Sequence, residues 1–144
     1  MMRLRTLPVI FVLLLVCSAA YSQSLTEEFS FQIKDFKMDH QTQTNNLNIS
    51  ISYRYIANIQ KPDYPDFRWL AKDVETLLSK YPNKDDYWEI VNKQITSMLL
   101  NKYRGLTSVT CEIKVDPSSL IPYARSSRVT RERTGKRALA AASR

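Results

Sequence analysis

The stretch LNISISYRY, residues 47–55, decides the fold, because apolar or aromatic residues alternate with polar residues along its whole length. A period of two places alternate side chains on opposite faces of a β-strand, so this strand has one apolar and one polar face. Upstream, FSFQI at residues 29–33 alternates in the same way and predicts a first strand over residues 28–38. Residues 39–46 are all polar and predict a loop. The two strands therefore form an antiparallel hairpin.

Two helices follow the hairpin. Apolar residues recur at helical spacing, and Asp66 is the natural N-cap of the first helix, which ends at Tyr81-Pro82. The second helix starts near Asp85, and Gly105 ends it as a left-handed cap. The predicted core faces are Phe67, Leu70, Val74, Leu77, Leu78 and Tyr81 on the first helix, and Trp88, Val91, Ile95, Met98 and Leu99 on the second.

The remaining chain predicts two more strands, over residues 107–115 and 121–131, joined by a turn at residues 116–119. The element order is therefore ββααββ. Two apolar helix faces can cover one face of a four-stranded antiparallel sheet, which gives a two-layer α+β sandwich. Cys111 lies on the apolar face of the third strand and is expected to be a small buried hydrophobe. The outer strands leave two unpaired edges, which predicts a homo-oligomer that closes them.

The N-terminus has the features of a secretory signal peptide over residues 1–22. Arg3 and Arg5 precede an apolar run that is too short to span a membrane, and small residues favour cleavage between Ser22 and Gln23. Cys17 follows Val16, where a lipoprotein has a small residue, so a lipid anchor is not expected. The sequence thus predicts an exported chain without a transmembrane segment after cleavage.

Composition excludes several kinds of site in this chain of 144 residues. His40 is the single histidine, which excludes a multi-histidine metal centre. Two glycines are too few for a Gly-rich phosphate loop. We therefore expect no metal site and no cofactor.

The net charge of +7 is concentrated near the C-terminus. Residues 23–122 carry 12 Lys/Arg and 13 Asp/Glu, whereas residues 123–144 carry seven basic side chains and one acidic side chain. Such a segment can bind an anionic surface or remain solvated, and export disfavours nucleic acid. Residues 133–144 are predicted to be a disordered tail, in which Gly135-Lys136-Arg137 resembles a processing site. The candidate polyanion-binding residues are Arg125, Arg128, Arg131, Arg133, Lys136 and Arg137.

Several segments resemble the T-fold superfamily, and most closely the dihydroneopterin aldolases. The second helix, YWEIVNKQIT at residues 87–96, is similar to the family's Leu-Ile-Glu helix, and DPSSLIP at residues 116–122 is similar to its Lys-Pro turn. DFRWL at residues 66–70 occupies the place of its Asn-Tyr helix start. The likeness covers about residues 28–133, and residues 23–132 form the predicted T-fold-like domain.

The resemblance implies a ligand anchor but not the family's proton-transfer groups. The glutamate that grips the pterin ring corresponds to Glu89, beside Tyr87 and Trp88, which could stack on a ring. A glutamate in the first turn of a helix is also favoured by the helix dipole alone. The family's lysine and tyrosine correspond to Asp116 and Phe67, which cannot supply the same protons.

Three functions follow from the sequence. The first is a module that binds a pterin- or purine-like heterocycle through Glu89, with Trp88 and Tyr87, and without aldolase turnover. Alternatively, it is a non-enzymatic interaction protein whose Arg-rich fourth strand and tail bind an anionic partner. A third alternative is an active enzyme with relocated catalytic groups, for which Asp116, Lys114 and Tyr123 are the candidates.

Overall fold

The computed structural model describes residues 25–134 and consists of one sheet covered by two helices. Its strands are β1 (Glu28–His40), β2 (Gln43–Tyr55), β3 (Leu106–Val115) and β4 (Arg125–Glu132), and its helices are α1 (Phe67–Ser79) and α2 (Trp88–Lys102). The strand order is β1-β2-β3-β4, and every pair is antiparallel. The predicted ββααββ order and α+β class are confirmed. The predicted signal peptide, Lys136 and Arg137 lie outside the described residues.

Both helices cover the same face of the sheet. α1 packs against β1, and α2 packs against β3 and β4. The alternation in residues 47–55 directs Leu47, Ile49, Ile51 and Tyr53 into the core, where each is almost completely buried. The remaining buried hydrophobic residues are Ile33, Met38, Leu70, Val74, Leu78, Trp88, Val91, Ile95, Leu99, Leu100, Leu106, Val109, Cys111, Ile113 and Val115. Burial raises the pKa of the Cys111 thiol, as expected for a structural cysteine.

The predicted loop over residues 39–46 is wrong, because the strands continue through it. β1 extends to His40 and β2 begins at Gln43, so only Gln41 and Thr42 form the turn, with φ of 51° and 67°. Two successive positive φ values are typical of a tight hairpin turn. The connection between the helices lies against this tip: Gln41 N donates to Lys84 O at 2.8 Å, and His40 Nε2 lies 2.7 Å from Asp86 O. This contact buries the polar His40.

The predicted start of β4 at Ile121 is also wrong. Ile121 is held in a turn, because its amide donates to Ser118 Oγ at 3.0 Å and its carbonyl accepts from Ser118 N at 2.9 Å. β4 begins at Arg125. At its far end, Arg133 N donates to Thr107 O at 2.8 Å. The β4–β3 hydrogen bonding therefore reaches Arg133, the first residue of the predicted tail.

The ends of α2 differ from the prediction as well. The helix begins at Trp88 rather than near Asp85, because the Asp86 carboxylate accepts hydrogen bonds from Tyr81 and Asn83 within the connection. Gly105 does not have a left-handed conformation. Instead, the guanidinium of Arg133 donates to the carbonyl oxygens of Leu100 and Tyr103 at the end of the helix. It thereby satisfies acceptors that a left-handed cap would otherwise have satisfied.

Candidate functional site

The N-terminus of α2 lies at the end of the sheet where β3 ends and β4 begins. Asn92 Nδ2 donates to Cys111 O at 3.0 Å and to Ser127 O at 2.9 Å, so this turn of α2 rests on the middle of β3 and β4. The other end of the helix is fixed near Leu106 by Arg133, whose Nε donates to Leu106 O at 2.7 Å. The first turn of α2 therefore points towards Val115 and Arg125.

Glu89 lies in the first turn of α2 with its side chain exposed. Among residues 25–134, no hydrogen bond or ion pair to its carboxylate is found. The N-cap residue Tyr87 makes no side-chain capping bond, and the residue is 71% exposed. The positive end of the helix dipole favours an anionic group at this position. The structure thus presents an unpaired carboxylate beside an exposed aromatic ring.

Trp88 is turned away from this surface. Only 7% of it is exposed, and its ring centroid lies 4.5 Å from that of His40 in the core. In the chain as described, the indole packs against His40 at the hairpin tip and has little exposed surface with which to stack on a ligand. Of the two aromatic residues beside Glu89, Tyr87 is the one that can contact a ligand.

The residues behind the first turn of α2 form a hydrogen-bonded support. Tyr81 donates its hydroxyl to Asp86 Oδ2 at 2.7 Å, and burial together with this bond raises the pKa of Tyr81 to about 12. His40 and Gln41 both contact Asp86 O. Because Asp86 immediately precedes the N-cap, these contacts hold the start of the helix against the β1–β2 hairpin.

The candidate catalytic residues differ in their surroundings. Asp116 accepts hydrogen bonds from Asn46 Nδ2 at 2.6 Å and from Asn48 Nδ2 at 3.3 Å. Both oxygens of its carboxylate therefore already have a donor within the protein. Lys114 is exposed, with its Nζ 4.0 Å from Glu112 Oε2. Tyr123 lies in the loop before β4 with 72% of its surface exposed.

Two partners of Asp116 were not predicted from the sequence. Asn46 and Asn48 lie on the polar face of β2, and the pairing of Asn48 with Lys114 brings that face beside the end of β3. The alternation of residues 47–55 extends to Asn46 and would have placed both amides on this face. Their contact with Asp116 depends on the register between β2 and β3, which one strand alone does not specify.

The predicted polyanion-binding arginines are divided between separate surfaces. Arg125 and Arg131 pair with Val115 and Val109, which face the helices, whereas Arg128 lies on the uncovered face. Arg125 Nη2 lies 3.3 Å from Asn45 Oδ1. Arg133 is engaged at the end of α2, as described above. These side chains do not form a single basic patch in the described part of the chain.

Other kinds of site were also considered for residues 25–134. No group of three or more His, Cys, Asp or Glu side chains there could hold a metal ion. No helix in that range is long and apolar enough to cross a membrane.

The solved structures that are similar to this chain include two described as dihydroneopterin aldolases. A dihydroneopterin aldolase from Burkholderia thailendensis, bound to guanine, has a TM-score of 0.60 and 11% identity over 76% of this chain and 93% of its own. A candidate dihydroneopterin aldolase from Vibrio cholerae O1 biovar El Tor has a TM-score of 0.54 and 9% identity over 73% and 98%. No protein-family model matches the chain, and no curated protein matches its sequence. The chain therefore has a T-fold-like architecture that resembles the dihydroneopterin aldolases in fold.

Proposed function

We propose that this chain binds a pterin- or purine-like heterocycle through the carboxylate of Glu89 and does not catalyse the aldolase reaction. The observation that carries the proposal is the exposed, unpaired carboxylate in the first turn of α2. The guanine bound to one structure of the same fold supports this class of ligand.

The chemistry of the two partners is complementary. Pterins and guanine present a ring N–H beside an amino group, and a carboxylate offers two acceptor oxygens at matching spacing. The positive end of the helix dipole favours a negatively charged group at this position. Tyr87, whose ring is exposed, would cover one face of the heterocycle, because aromatic rings favour offset stacking.

The proposed absence of turnover rests on two positions, Asp116 and Phe67, where the family resemblance places the groups that transfer protons. Asp116 stands at the lysine position and carries the opposite charge, and its carboxylate already accepts from Asn46 and Asn48. Phe67 stands at the tyrosine position and has no hydroxyl. General acid–base groups typically contribute about 10²–10⁴-fold in rate. The third candidate function, an active enzyme, therefore lacks support from these side chains.

We also propose that the chain is exported and forms a homo-oligomer. β1 and β4 are the edges of the sheet, and a second copy could pair with either. Light scattering coupled to size-exclusion chromatography that finds only monomer would refute this assembly.

The binding proposal is tested by thermal shift with guanine, neopterin and dihydroneopterin. A ligand held at about 100 times its Kd adds about 2.7 kcal/mol to the free energy of unfolding, which is readily measured. Glu89→Ala should abolish the shift while leaving the unliganded midpoint nearly unchanged. Glu75→Ala is the matched control, because Glu75 is another exposed glutamate and lies on α1 rather than at the start of α2.

Glu89→Gln separates hydrogen bonding from side-chain volume. The amide keeps the shape of the carboxylate but replaces one acceptor with a donor that opposes the ligand's own donors, so it should bind no better than Glu89→Ala. Equal shifts in wild type and Glu89→Ala would refute Glu89 as the anchor. Consumption of dihydroneopterin by the wild type would refute the absence of turnover.

A further inference from the structure

A cleft lies at the opposite end of α2 from Glu89. It has a volume of about 740 Å³ and is formed by the segment that precedes α1, the first turn of α1 and the residues that follow α2. Its size is within the range of small-molecule sites. We define it by Tyr64, Trp69, Asp63 and Arg104, and call it the Trp69 cleft.

Aromatic rings form the apolar part of the Trp69 cleft. Trp69 is 61% exposed and Tyr64 is 40% exposed, although both are large side chains that are usually more buried. Pro62 and Pro65 line the same cleft. Exposed aromatic rings in a concave site are typical of ligand contacts, because they provide a flat apolar surface at little cost in side-chain entropy.

Most of the polar groups around the cleft already have partners within the protein. Lys102 Nζ and Tyr103 Oη both donate to the Asp73 carboxylate, at 2.7 and 2.6 Å. Asp66 is held by Arg68, and Tyr64 donates its hydroxyl to Glu27. These pairs fix the walls of the cleft without leaving an uncompensated charge in it.

Asp63 and Arg104 are different from these pairs. In residues 25–134, neither side chain has a hydrogen bond or an ion pair, although their segments touch: a Cβ on Gly105 would lie 3.2 Å from Asp63 O. One carboxylate and one guanidinium are therefore available, and their charges balance. These two side chains suit a neutral ligand that donates hydrogen bonds to the Asp63 carboxylate and accepts hydrogen bonds from the Arg104 guanidinium.

We propose that the Trp69 cleft binds a neutral carbohydrate. A pyranose ring has an apolar face of C–H groups that stacks on an indole, and hydroxyl groups at its rim that both donate and accept hydrogen bonds. The aromatic floor and the Asp63–Arg104 pair match these two features. The cleft is separate from Glu89, so this proposal does not depend on the binding of a heterocycle.

The test is a titration of the full chain with cellotetraose, maltotetraose and chitotetraose, monitored by tryptophan fluorescence. The chain has two tryptophans, and Trp88 is buried, so a change in quenching by acrylamide reports on Trp69. One of the glycans should shield Trp69. Trp69→Ala, measured by isothermal titration calorimetry because this variant lacks the fluorescent reporter, should weaken the affinity about ten-fold or more, as is common when a central aromatic contact is removed.

The control variants separate ring stacking from general effects on folding. Trp69→Phe should retain part of the affinity, because it keeps an aromatic face. Leu120→Ala removes an exposed apolar side chain outside the cleft and should bind as the wild type does. Asp63→Asn and Arg104→Gln should each weaken binding, with little dependence on salt because the ligand is neutral.

Three results would overturn the proposal. The first is no binding of any glycan at millimolar concentration by a folded chain whose Trp69 is accessible to acrylamide. The second is that Trp69 is protected from acrylamide without glycan and that this protection disappears when the protein is diluted. That result would mean that a second copy of the chain covers the cleft. The third is binding that Trp69→Ala leaves unchanged.

Discussion

Replacing Asn92 tests how α2 is attached to the sheet. This side chain is completely buried, and its Nδ2 donates to the carbonyl oxygens of two different strands, through Cys111 and Ser127. Asn92→Ala removes two hydrogen bonds, each worth about 1 kcal/mol net, and leaves a small cavity where the amide was. We expect the free energy of unfolding to fall by about 2–4 kcal/mol. That is a large part of the about 5–15 kcal/mol typical of a domain.

Asn92→Asp makes the same test depend on pH. At neutral pH the new carboxylate would face two carbonyl oxygens, whereas the protonated acid can donate one hydrogen bond to them. Its pKa in the folded state should therefore exceed the value of about 3.9 in the unfolded chain. The variant should be closest to the wild type below pH 4 and lose stability as the pH rises through the folded-state pKa.

The assay is urea denaturation monitored by far-UV circular dichroism. Thr96→Val is the matched control, because Thr96 is equally buried one turn further along α2 but donates only within the helix, to Asn92 O and Lys93 O. It should cost about 1 kcal/mol or less. The reasoning is refuted if Asn92→Ala changes the free energy of unfolding no more than Thr96→Val, or if Asn92→Asp shows no dependence on pH relative to the wild type.

Three further predictions concern the ends of the helices. Arg133→Ala should lower the free energy of unfolding by about 1–2 kcal/mol through loss of its bonds to α2, whereas Arg131→Ala should have almost no effect, as urea titrations of the pair would show. Tyr81→Phe should cost about 1 kcal/mol at pH 8. Because the pKa of Tyr81 is about 12 when folded and lower when unfolded, this difference should shrink between pH 10 and 12 in the same assay. Hydrogen bonds from Arg68 lower the pKa of Asp66, so Asp66→Ala should reduce the urea midpoint at pH 7, and the reduction should fade as the pH drops through that lowered pKa.

The sequence predicted the parts of the fold that local patterns control. Alternation in residues 47–55 specified which side chains of β2 are buried, and helical spacing identified Leu70, Val74 and Leu78 as the core face of α1. Asp66 caps α1 as expected, with Arg68 N donating to its carboxylate at 2.9 Å. These features depend on residues a few positions apart, so a single segment contains the information.

The hairpin tip could not be predicted in that way. Residues 39–46 are polar, and neither Gln41 nor Thr42 is a usual residue for positive φ, so the local signal favoured a loop. The strands continue because the connection between α1 and α2 covers His40 and supplies hydrogen-bond partners to Gln41. A contact between segments more than 40 residues apart decides this turn.

In the candidate site, too, some features follow from local sequence and others depend on tertiary contacts. The sequence by itself determined that a glutamate lies in the first turn of α2. Only the tertiary structure decided that Trp88 points into the core while Tyr87 remains exposed, and that Arg133 binds the end of α2 instead of belonging to a free tail. Side-chain direction depends on which neighbouring surface is left unfilled, and that surface exists only after the sheet and both helices have packed together.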